Sequence, residues 1–309
     1  MLPKFVILCP VYNEEAAVPL FYQRLKPVIA NLAGRYSINL VFLDNASNDS
    51  TYEEILKIKK DWSSTYIVVN SRNVGYQKSL ISGLRRLSGD LFVFIDIDCE
   101  DPPELILEFV RLREAGGYEV VYGQRSSRDE LGVITFLRKV FYRVLRAVAD
   151  EEIILDMAEF ALFTDDVRKA IVAENSSFPF IRASIGRVGF SRTSVPYKRQ
   201  RRITGKTKYN LSRMVIFAVA GLLASSTLFL RLPIYLLPFW LLTLWAIGYM
   251  YVGSPDPFWL VVGALAFSAY VGAVLAFIAL YVARTYKNGL GYPVSFINRQ
   301  KSILPDNEA

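Results

Sequence analysis

The residues best suited to chemistry in this chain are four acidic side chains that directly follow an apolar run. Residues 92–104 read FVFIDIDCEDPPE, so the acids begin where a buried strand would end, and in open α/β sheets ligands gather at that end. Carboxylates at positions i and i+2 repel each other unless a hard cation lies between them, and Mg²⁺ or Mn²⁺ held in this way commonly binds a substrate phosphate. An Asp-x-Asp pair also occurs by chance on surface turns, so the motif needs support from the rest of the chain. The acids are Asp96, Asp98, Glu100 and Asp101.

Further apolar runs end in polar turn residues and predict a mostly parallel α/β sheet. The segments between the runs have helical spacing and helix-start signals, such as Ser50 before Glu53 and two prolines before Glu104. Alternating strand and helix signals are typical of a doubly wound sheet covered on both faces. The runs are residues 6–8, 40–43, 66–69 and 120–122, and they lead into Pro10, Tyr12 and Glu14, into Asp44, into Asn73 and Gly75, and into Gly123 and Arg125.

With these motifs in this order, the chain resembles glycosyltransferase family 2, and within it the polyisoprenyl-phosphate glycosyltransferases of the dolichyl-phosphate mannose synthase and bactoprenol glucosyltransferase type. The resemblance covers nearly the whole chain at the family's spacing. It implies a GT-A fold that binds a nucleotide sugar and transfers one sugar to a lipid phosphate. The matching segments are PVYNEE at 10–15, DNASNDS at 44–50, Asn73 with Gly75, Gly83, Gly89 with Asp90, DIDCEDPPE at 96–104, Gly123 with Arg125, Asp156 with Phe160, and RQRRITGKTKY at 199–209.

The resemblance and the chemistry of the reaction together assign roles to these residues. A divalent metal held by Asp98, with Asp96 and Glu100, would stabilise the leaving nucleotide diphosphate as a Lewis acid. Arg125 and the basic segment 199–208 would complete a phosphate clamp, because guanidinium groups bind phosphate in a bidentate fork. The expected nucleotide-binding residues are Pro10, Tyr12, Glu14, Asp44, Asn73, Asp96, Arg202 and Lys208, and the expected catalytic residues are Asp98, Arg125 and Asp156.

The acceptor needs no strong general base. A lipid monophosphate has its second pKa near 6 and is mostly dianionic at neutral pH. The chain contains no histidine, the commonest general base. By resemblance, Asp156 lies near the acceptor phosphate or a sugar hydroxyl, where it either acts as a base or only positions the substrate. Relatives commonly read Asp-x-Gly-Asp-Phe-Arg here, whereas this chain has Glu159 for the second Asp and Ala161 for the Arg; Glu100 stands where many relatives have Gln. These departures do not change the expected class of reaction. They leave undetermined which sugar the protein recognises.

Two uncharged stretches predict a membrane hairpin. Residues 232–253 and 258–283 each exceed the ~20 apolar residues that cross the hydrocarbon core, and only a short loop connects them. Arg231 precedes the first span, Arg284 and Lys287 follow the second, and the loop has no Lys or Arg. The positive-inside rule therefore predicts an integral protein of the bacterial plasma membrane whose catalytic domain and both termini are cytoplasmic.

These observations divide the chain into four parts. We expect the donor pocket to be built wholly from residues before Tyr209, and no cleaved secretory signal. Residues 133–148 predict an amphipathic helix with cations around an apolar face, which either rests on anionic lipid or packs on the domain. The two cysteines are expected to form no disulfide. The parts are a cytoplasmic GT-A domain (1–208), a juxtamembrane interfacial helix (209–231), the transmembrane hairpin (232–285) and a cytoplasmic tail (286–309).

The net charge of +7 does not indicate nucleic acid. The cations crowd into residues 198–208, immediately before the membrane region, where they would meet lipid phosphate or a diphosphate, although a solvated basic loop has the same composition. No nucleic-acid-binding motif is found. We expect the basic loop, which contains Gly205, to be mobile in the free enzyme and to close over its ligand.

The sequence thus favours an inverting, metal-dependent hexosyltransferase. The preferred reaction moves glucose from UDP-glucose to undecaprenyl phosphate or a related polyprenyl phosphate at the cytoplasmic membrane face. The alternatives are mannose from GDP-mannose, another UDP-sugar, or a non-catalytic scaffold that binds nucleotide sugar. A processive polysaccharide synthase is disfavoured, because two spans cannot build a polymer channel. The sequence leaves open whether the chain forms a homo-oligomer.

Overall fold

The computed structural model describes residues 2–125, 157–204 and 226–305, together with Ile154 and Leu223. Within these residues, seven strands form one sheet. The strands are β1 (Lys4–Val11), β2 (Ser37–Asp44), β3 (Thr65–Val69), β4 (Leu91–Phe94), β5 (Val120–Arg125), β6 (Met157–Thr164) and β7 (Arg192–Tyr197). The helices are α1 (Ala17–Leu32), α2 (Thr51–Asp61), α3 (Tyr76–Leu84), α4 (Leu105–Gly116), α5 (Asp165–Ala173), α6 (Ile181–Arg187), α7 (Leu228–Gly253) and α8 (Pro257–Gly289).

The strand order is β3-β2-β1-β4-β6-β5-β7. Strands β1 to β4 are mutually parallel, β6 runs antiparallel between β4 and β5, and β7 is parallel to β5. The predicted mostly parallel α/β sheet is confirmed, and each of the four predicted runs lies in a strand; β6 is absent from the predicted strands. Because β1 lies between β2 and β4, the carboxyl ends of all three strands share one edge.

Helices cover both faces of the sheet because its central strands are apolar on both sides. In β1, Phe5 and Ile7 face a core layer formed with α1, α2 and α4, whereas Val6 and Leu8 face a second layer formed with α3, α5 and α6. All four side chains are fully buried. Such continuous apolar strands are typical of parallel sheets buried on both faces.

Helices α7 and α8 fit the predicted hairpin. Both are long and apolar enough to cross a membrane. They pack through stacked rings of Trp240 and Tyr270, whose centroids lie 4.5 Å apart, and the Tyr270 hydroxyl donates to the carbonyl oxygen of Pro233 at 2.9 Å. Helix α8 has 33 residues. Its length of about 50 Å exceeds the ~30 Å hydrocarbon core, so its last turns reach the catalytic domain. There the Ser177 amide donates to Asn288 Oδ1 at 2.9 Å.

After α8 the chain returns to the catalytic domain and pairs with the edge strand β3. Ile67 and Ile303 exchange two backbone hydrogen bonds of 2.9 and 2.8 Å, and the amide of Asn298 donates to the carbonyl oxygen of Val69 at 2.8 Å. Residues 294–304, which we call the C-terminal clamp, therefore cover the open edge of the sheet. The tail predicted for residues 286–309 thus begins with the last turn of α8, and its residues 294–304 are an element of the catalytic fold.

Several predicted features lie outside the described residues. They are the helix at 133–148, Asp156, Gly205, Lys208 and most of the segment 209–231, whose last four residues begin α7. Cys9 and Cys99 are buried free thiols.

Candidate active site

Three loops meet at the carboxyl edge of the sheet. Val11 at the end of β1 is paired with Asp44 at the end of β2. On the other side of β1, Leu8 is paired with Phe94, the last residue of β4. From there the chain enters residues 96–101, which we call the acidic turn. The predicted acids therefore lie where an open α/β sheet binds its ligand.

The loops after β1 and β2 are joined by hydrogen bonds around Asp44. Its carboxylate, only 2% exposed, accepts from the Ser47 amide at 3.0 Å and from Ser47 Oγ at 2.6 Å. Ser47 Oγ accepts from the amide of Asn13 at 3.0 Å. Burial raises the pKa of Asp44 above its ordinary value, although the hydrogen bonds from Ser47 oppose the shift. Removing Ser47 would therefore loosen both loops.

The loop after β3 joins the same edge. Asn45 Nδ2 donates to Asn73 Oδ1 at 2.9 Å, and Asn45 Oδ1 accepts from the amide of Val74 at 2.9 Å. Gly75, with φ of 87°, has a positive backbone angle that favours glycine, and it immediately precedes α3. On the β1 side, the Glu14 amide donates to Thr51 Oγ1 at 2.8 Å. The structure thus brings five predicted nucleotide-binding residues to one edge: Pro10, Tyr12, Glu14, Asp44 and Asn73.

The first two acids of the acidic turn have different surroundings. Asp96 accepts a hydrogen bond of 2.7 Å from the Tyr76 hydroxyl. Removal from water raises the pKa of Asp96 to about 7, and the charges of Asp98 and Asp101 act in the same direction. Asp98 caps its own turn, because its Oδ1 accepts from the amide of Glu100 at 3.0 Å. A cation beside this turn would favour the ionised form of Asp96.

Two arginines of the basic loop contact the acidic turn directly. Arg202 Nη2 lies 2.8 Å from Asp98 Oδ2, its Nε lies 3.5 Å from Glu100 Oε1, and Arg199 pairs with the other oxygen of Glu100. The backbone supports this contact, since the amides of Gln200 and Ile203 donate to the carbonyl oxygens of the acidic turn at 2.8 and 3.1 Å. The described part of the basic loop, residues 198–204, is therefore docked on the acids. Its expected mobility stays a prediction.

Arg125 has partners within the protein. Its Nη2 lies 3.1 Å from Asp101 Oδ2 and its Nε donates to the Tyr197 hydroxyl at 3.3 Å, while that hydroxyl donates to Asp101. Burial alone would lower the pKa of Arg125, but the charge of Asp101, the charge of Tyr197 and the hydrogen bonds to both residues together outweigh it, and the pKa is raised. In this conformation Arg125 fixes the end of the acidic turn; its predicted contact with a diphosphate would require it to leave these partners.

A second polar cluster lies behind Asp96. Glu159 of β6 accepts from Gln77 Nε2 at 2.6 Å and lies 3.4 Å from Arg182 Nε. Gln77 Oε1 in turn accepts from the amide of Ile181 at 3.0 Å, which ties α3 to α6. The sequence motif marks Glu159 as a departure from relatives, but Tyr76, Gln77 and Arg182 carry no local signal that would have identified them.

The acidic turn offers suitable chemistry for a divalent metal. Asp98 and Glu100 present carboxylate oxygens, the ligands that Mg²⁺ and Mn²⁺ prefer. In the structure these oxygens contact guanidinium groups, and Asp96 faces Tyr76. Among the described residues, no group of three acidic, cysteine or histidine side chains converges on one point. The metal site formed by Asp96, Asp98 and Glu100 stays a prediction. Of these three residues, Asp98 and Glu100 lie close together, since both contact Arg202.

Comparison with known proteins identifies the class. The model of the family described as "Glycosyl transferase family 2" matches residues 6–171. The chain belongs to this family and is a glycosyltransferase. It is 31% identical to "Uncharacterized glycosyltransferase YkcC" of Bacillus subtilis over 97% of this chain and 95% of the relative. It is 29% identical to "Prophage bactoprenol glucosyl transferase homolog" of Escherichia coli, over 75% of this chain and 76% of the relative.

A solved structure supports the fold. Glucosyl-3-phosphoglycerate synthase from Mycobacterium tuberculosis, crystallised with Mn²⁺, UDP-glucose and phosphoglyceric acid, superposes with a TM-score of 0.50 at 18% identity, over 71% of this chain and 79% of that chain. At this identity the likeness concerns the fold alone. The expected GT-A-like architecture is therefore confirmed.

Proposed function

We propose that this protein transfers glucose from UDP-glucose to a polyprenyl phosphate, such as undecaprenyl phosphate, at the cytoplasmic face of the membrane. The observation that carries the proposal is the acidic turn at the strand ends, contacted by an arginine-rich loop that precedes an apolar hairpin in the sequence. A diphosphate donor and a phosphate acceptor both need such cations, and a lipid acceptor needs the membrane. Relatives named bactoprenol glucosyl transferase support this acceptor class and this sugar.

The donor would lie along the edge formed by the loops after β1, β2 and β3. Asp44 is the buried acceptor for the base or ribose, and its hydrogen bonds to Ser47 hold it in place before the ligand arrives. Asp98 and Glu100 would hold the divalent metal, which supplies Lewis-acid stabilisation of the leaving diphosphate when bound. Mn²⁺ in the Mycobacterium tuberculosis structure supports a divalent metal for this fold.

The arginines have two roles in this proposal. Without ligands, Arg199 and Arg202 neutralise the acidic turn. The carboxylates can bind a cation only after these guanidinium groups move away. The released Arg202 then carries its charge to the donor diphosphate or the acceptor phosphate, which a guanidinium fork binds well. Donor binding and loop movement are coupled in this way.

The C-terminal clamp supports the proposed topology. The clamp pairs with β3 of the catalytic domain, so the chain between residues 204 and 294 must return to the side from which it left. A hairpin of two crossings satisfies this requirement, whereas three crossings would not. Together with the cations at both ends of the hairpin, this favours a cytoplasmic position for the domain and the clamp.

The test is a transfer assay with purified full-length protein. Radiolabelled UDP-glucose, GDP-mannose, UDP-galactose and UDP-N-acetylglucosamine are each incubated with undecaprenyl phosphate and Mn²⁺, with and without excess EDTA. We expect label in the lipid fraction with UDP-glucose, and its loss in EDTA. Transfer from a different donor would show that the proposed sugar is wrong and would identify the sugar that is transferred. No transfer from any donor, despite measured nucleotide binding, would indicate the non-catalytic scaffold.

A further inference from the structure

The C-terminal clamp lies against the proposed donor edge of the catalytic domain. The amide of Ser71 donates to the carbonyl oxygen of Phe296 at 2.8 Å, and the amide of Val69 donates to Ser302 Oγ at 3.0 Å. Val69, at the end of β3, is in turn paired with Asp44. The C-terminal clamp thus holds the last residues of β3 and the first residues of the loop that carries Asn73.

The clamp has its own internal structure. The amides of Gln300 and Lys301 donate to Asn298 Oδ1 at 3.2 and 3.3 Å, and Ser302 Oγ donates to the carbonyl oxygen of Asn298 at 2.7 Å. These bonds form a compact turn over the sheet edge. Apolar side chains anchor it on both sides, because Ile303 packs on one core layer and Ile297 on the other.

The turn of the clamp places a cation at the nucleoside side of the edge. The Tyr52 hydroxyl donates to the carbonyl oxygen of Lys301 at 2.9 Å. Tyr52 follows Thr51, which fixes the loop after β1 through the Glu14 amide. Burial raises the pKa of the Asp44 carboxylate, and the positive charge of Lys301 opposes the shift. The hydrogen bond from Tyr52 to Lys301, and that of the adjacent Ser302 with Val69, which is paired with Asp44, place Lys301 at the same edge of the sheet as Asp44.

We propose that the C-terminal clamp is a component of the donor site: it orders the loop at residues 70–75, and Lys301 is a positioning residue for the nucleoside end of the donor. The proposal rests on the proposed function, since it assumes a nucleotide donor at this edge. It departs from the sequence-based expectation that the donor pocket is complete before Tyr209. It also makes the segment that follows the hairpin in sequence necessary for donor binding.

Two measurements on full-length protein in detergent test the proposal. Hydrogen exchange of the backbone amides at residues 67–75 measures how well the loop is ordered. Titration with UDP and Mn²⁺ measures the affinity for the donor nucleotide. Ile303→Asp places a charge in the apolar contact and should release the clamp. We expect faster exchange at residues 67–75 and UDP affinity lower by about tenfold, the equivalent of one or two lost hydrogen bonds. Gln23→Glu adds the same charge on an exposed side chain of α1, outside the clamp and the donor edge, and should change neither measurement by more than about twofold.

Ser302→Ala is the milder variant should Ile303→Asp fail to fold. It removes only the hydroxyl that joins Asn298 to Val69, and we expect a smaller increase in exchange at the same residues. Lys301→Glu should lower UDP affinity by about three- to tenfold without changing exchange, and Lys301→Arg should restore it.

The outcomes separate this proposal from the proposed function. Exchange at residues 67–75 that is unchanged in Ile303→Asp and Ser302→Ala would overturn the ordering role. UDP affinity that is unchanged in Lys301→Glu would overturn the positioning role. A wild-type protein that binds none of UDP, GDP, CDP and ADP would overturn the proposed function, while the exchange measurement would still decide whether the clamp orders the loop.

Discussion

Asp98 contacts both its own turn and a distant loop, so its substitution tests the site at the scale of one residue. We expect Asp98→Asn to keep the fold, because asparagine can still accept from the Glu100 amide, and to lower turnover by a factor on the order of 100 or more through loss of a charged metal ligand. The measurement is transfer of radiolabelled sugar to polyprenyl phosphate, with the melting temperature recorded in parallel.

Glu108→Gln is the matched control. Glu108 is a partly exposed carboxylate on α4 that pairs only with Arg111 of the same helix among the described contacts, and its loss should leave turnover within about twofold of the wild type. Wild-type turnover of Asp98→Asn, or full activity of the native enzyme in excess EDTA, would refute the metal assignment.

Arg125 is expected to act on stability as well as on catalysis. Arg125→Ala leaves Asp101, which is 3% exposed, without its cation. Breaking a buried ion pair on one side costs about 3 kcal/mol or more, which in a domain of this size lowers the melting temperature by about 6–12 °C. Thermal unfolding in detergent measures it. Arg111→Ala, which breaks an exposed pair, should shift the midpoint by no more than about 2 °C; equal shifts for the two variants would contradict the structural role of Arg125.

Short sequence motifs identified the residues of the candidate site, but they did not identify the side chains that contact those residues. The acidic turn is contiguous, so its position after β4 could be read from residues 92–104 alone. Tyr197 and Asp101 are 96 positions apart, and Tyr76 and Asp96 are 20 apart. These contacts form because particular strands and helices are neighbours in the fold. No short pattern in a single sequence shows which strands and helices will be neighbours.

At the scale of elements, the basic loop contacts the acidic turn and precedes the apolar hairpin in the sequence. We expect Arg202→Ala to lower sugar transfer at least tenfold but UDP binding by less than about threefold, because its proposed phosphate partner is complete only when the acceptor is bound. Arg201→Ala is the control, since Arg201 lies in the same loop with its side chain exposed. Steady-state transfer and UDP titration measure the two effects.

Limited proteolysis gives an independent reading of the loop. Cleavage after residues 199–202 should be suppressed by donor, metal and acceptor together. Cleavage that stays unchanged at measured saturation would count against closure of the loop.

Elements were predictable where the period of the sequence was clear. The parallel strands β1 to β5 each contain an apolar run followed by turn residues, and all five runs were identified. Strand β6 has the same composition but follows the segment that ends at Asp156, where no turn signal separates it from its surroundings. Among the described residues, the clamp makes two isolated bridges, between Ile303 and Ile67 of β3 and between Ile297 and Asn70 just after β3, and so has no strand pattern of its own.

At the scale of the whole molecule, the proposed topology can be tested with single cysteines. Cys9 and Cys99 are buried, so they should give little background with a thiol reagent. We expect Ser254→Cys, in the connection between α7 and α8, to react in intact cells with a membrane-impermeant maleimide. Gln300→Cys, in the clamp, should react only after permeabilisation. The opposite pattern would invert the orientation, and labelling of both positions from outside would exclude a clamp that pairs with a cytoplasmic domain.

The contact between β3 and the C-terminal clamp also sets an order for biosynthesis. Ser302, which binds the Val69 amide, is made 233 residues after it. At a ribosomal rate of roughly 5–20 residues per second, Ser302 is synthesised on the order of 10 to 50 seconds after Val69. Helices α7 and α8 are made during this interval, before the clamp. Under the proposed function and the proposed role of the clamp, a newly made chain would therefore complete its donor site only after both helices of the hairpin have been synthesised.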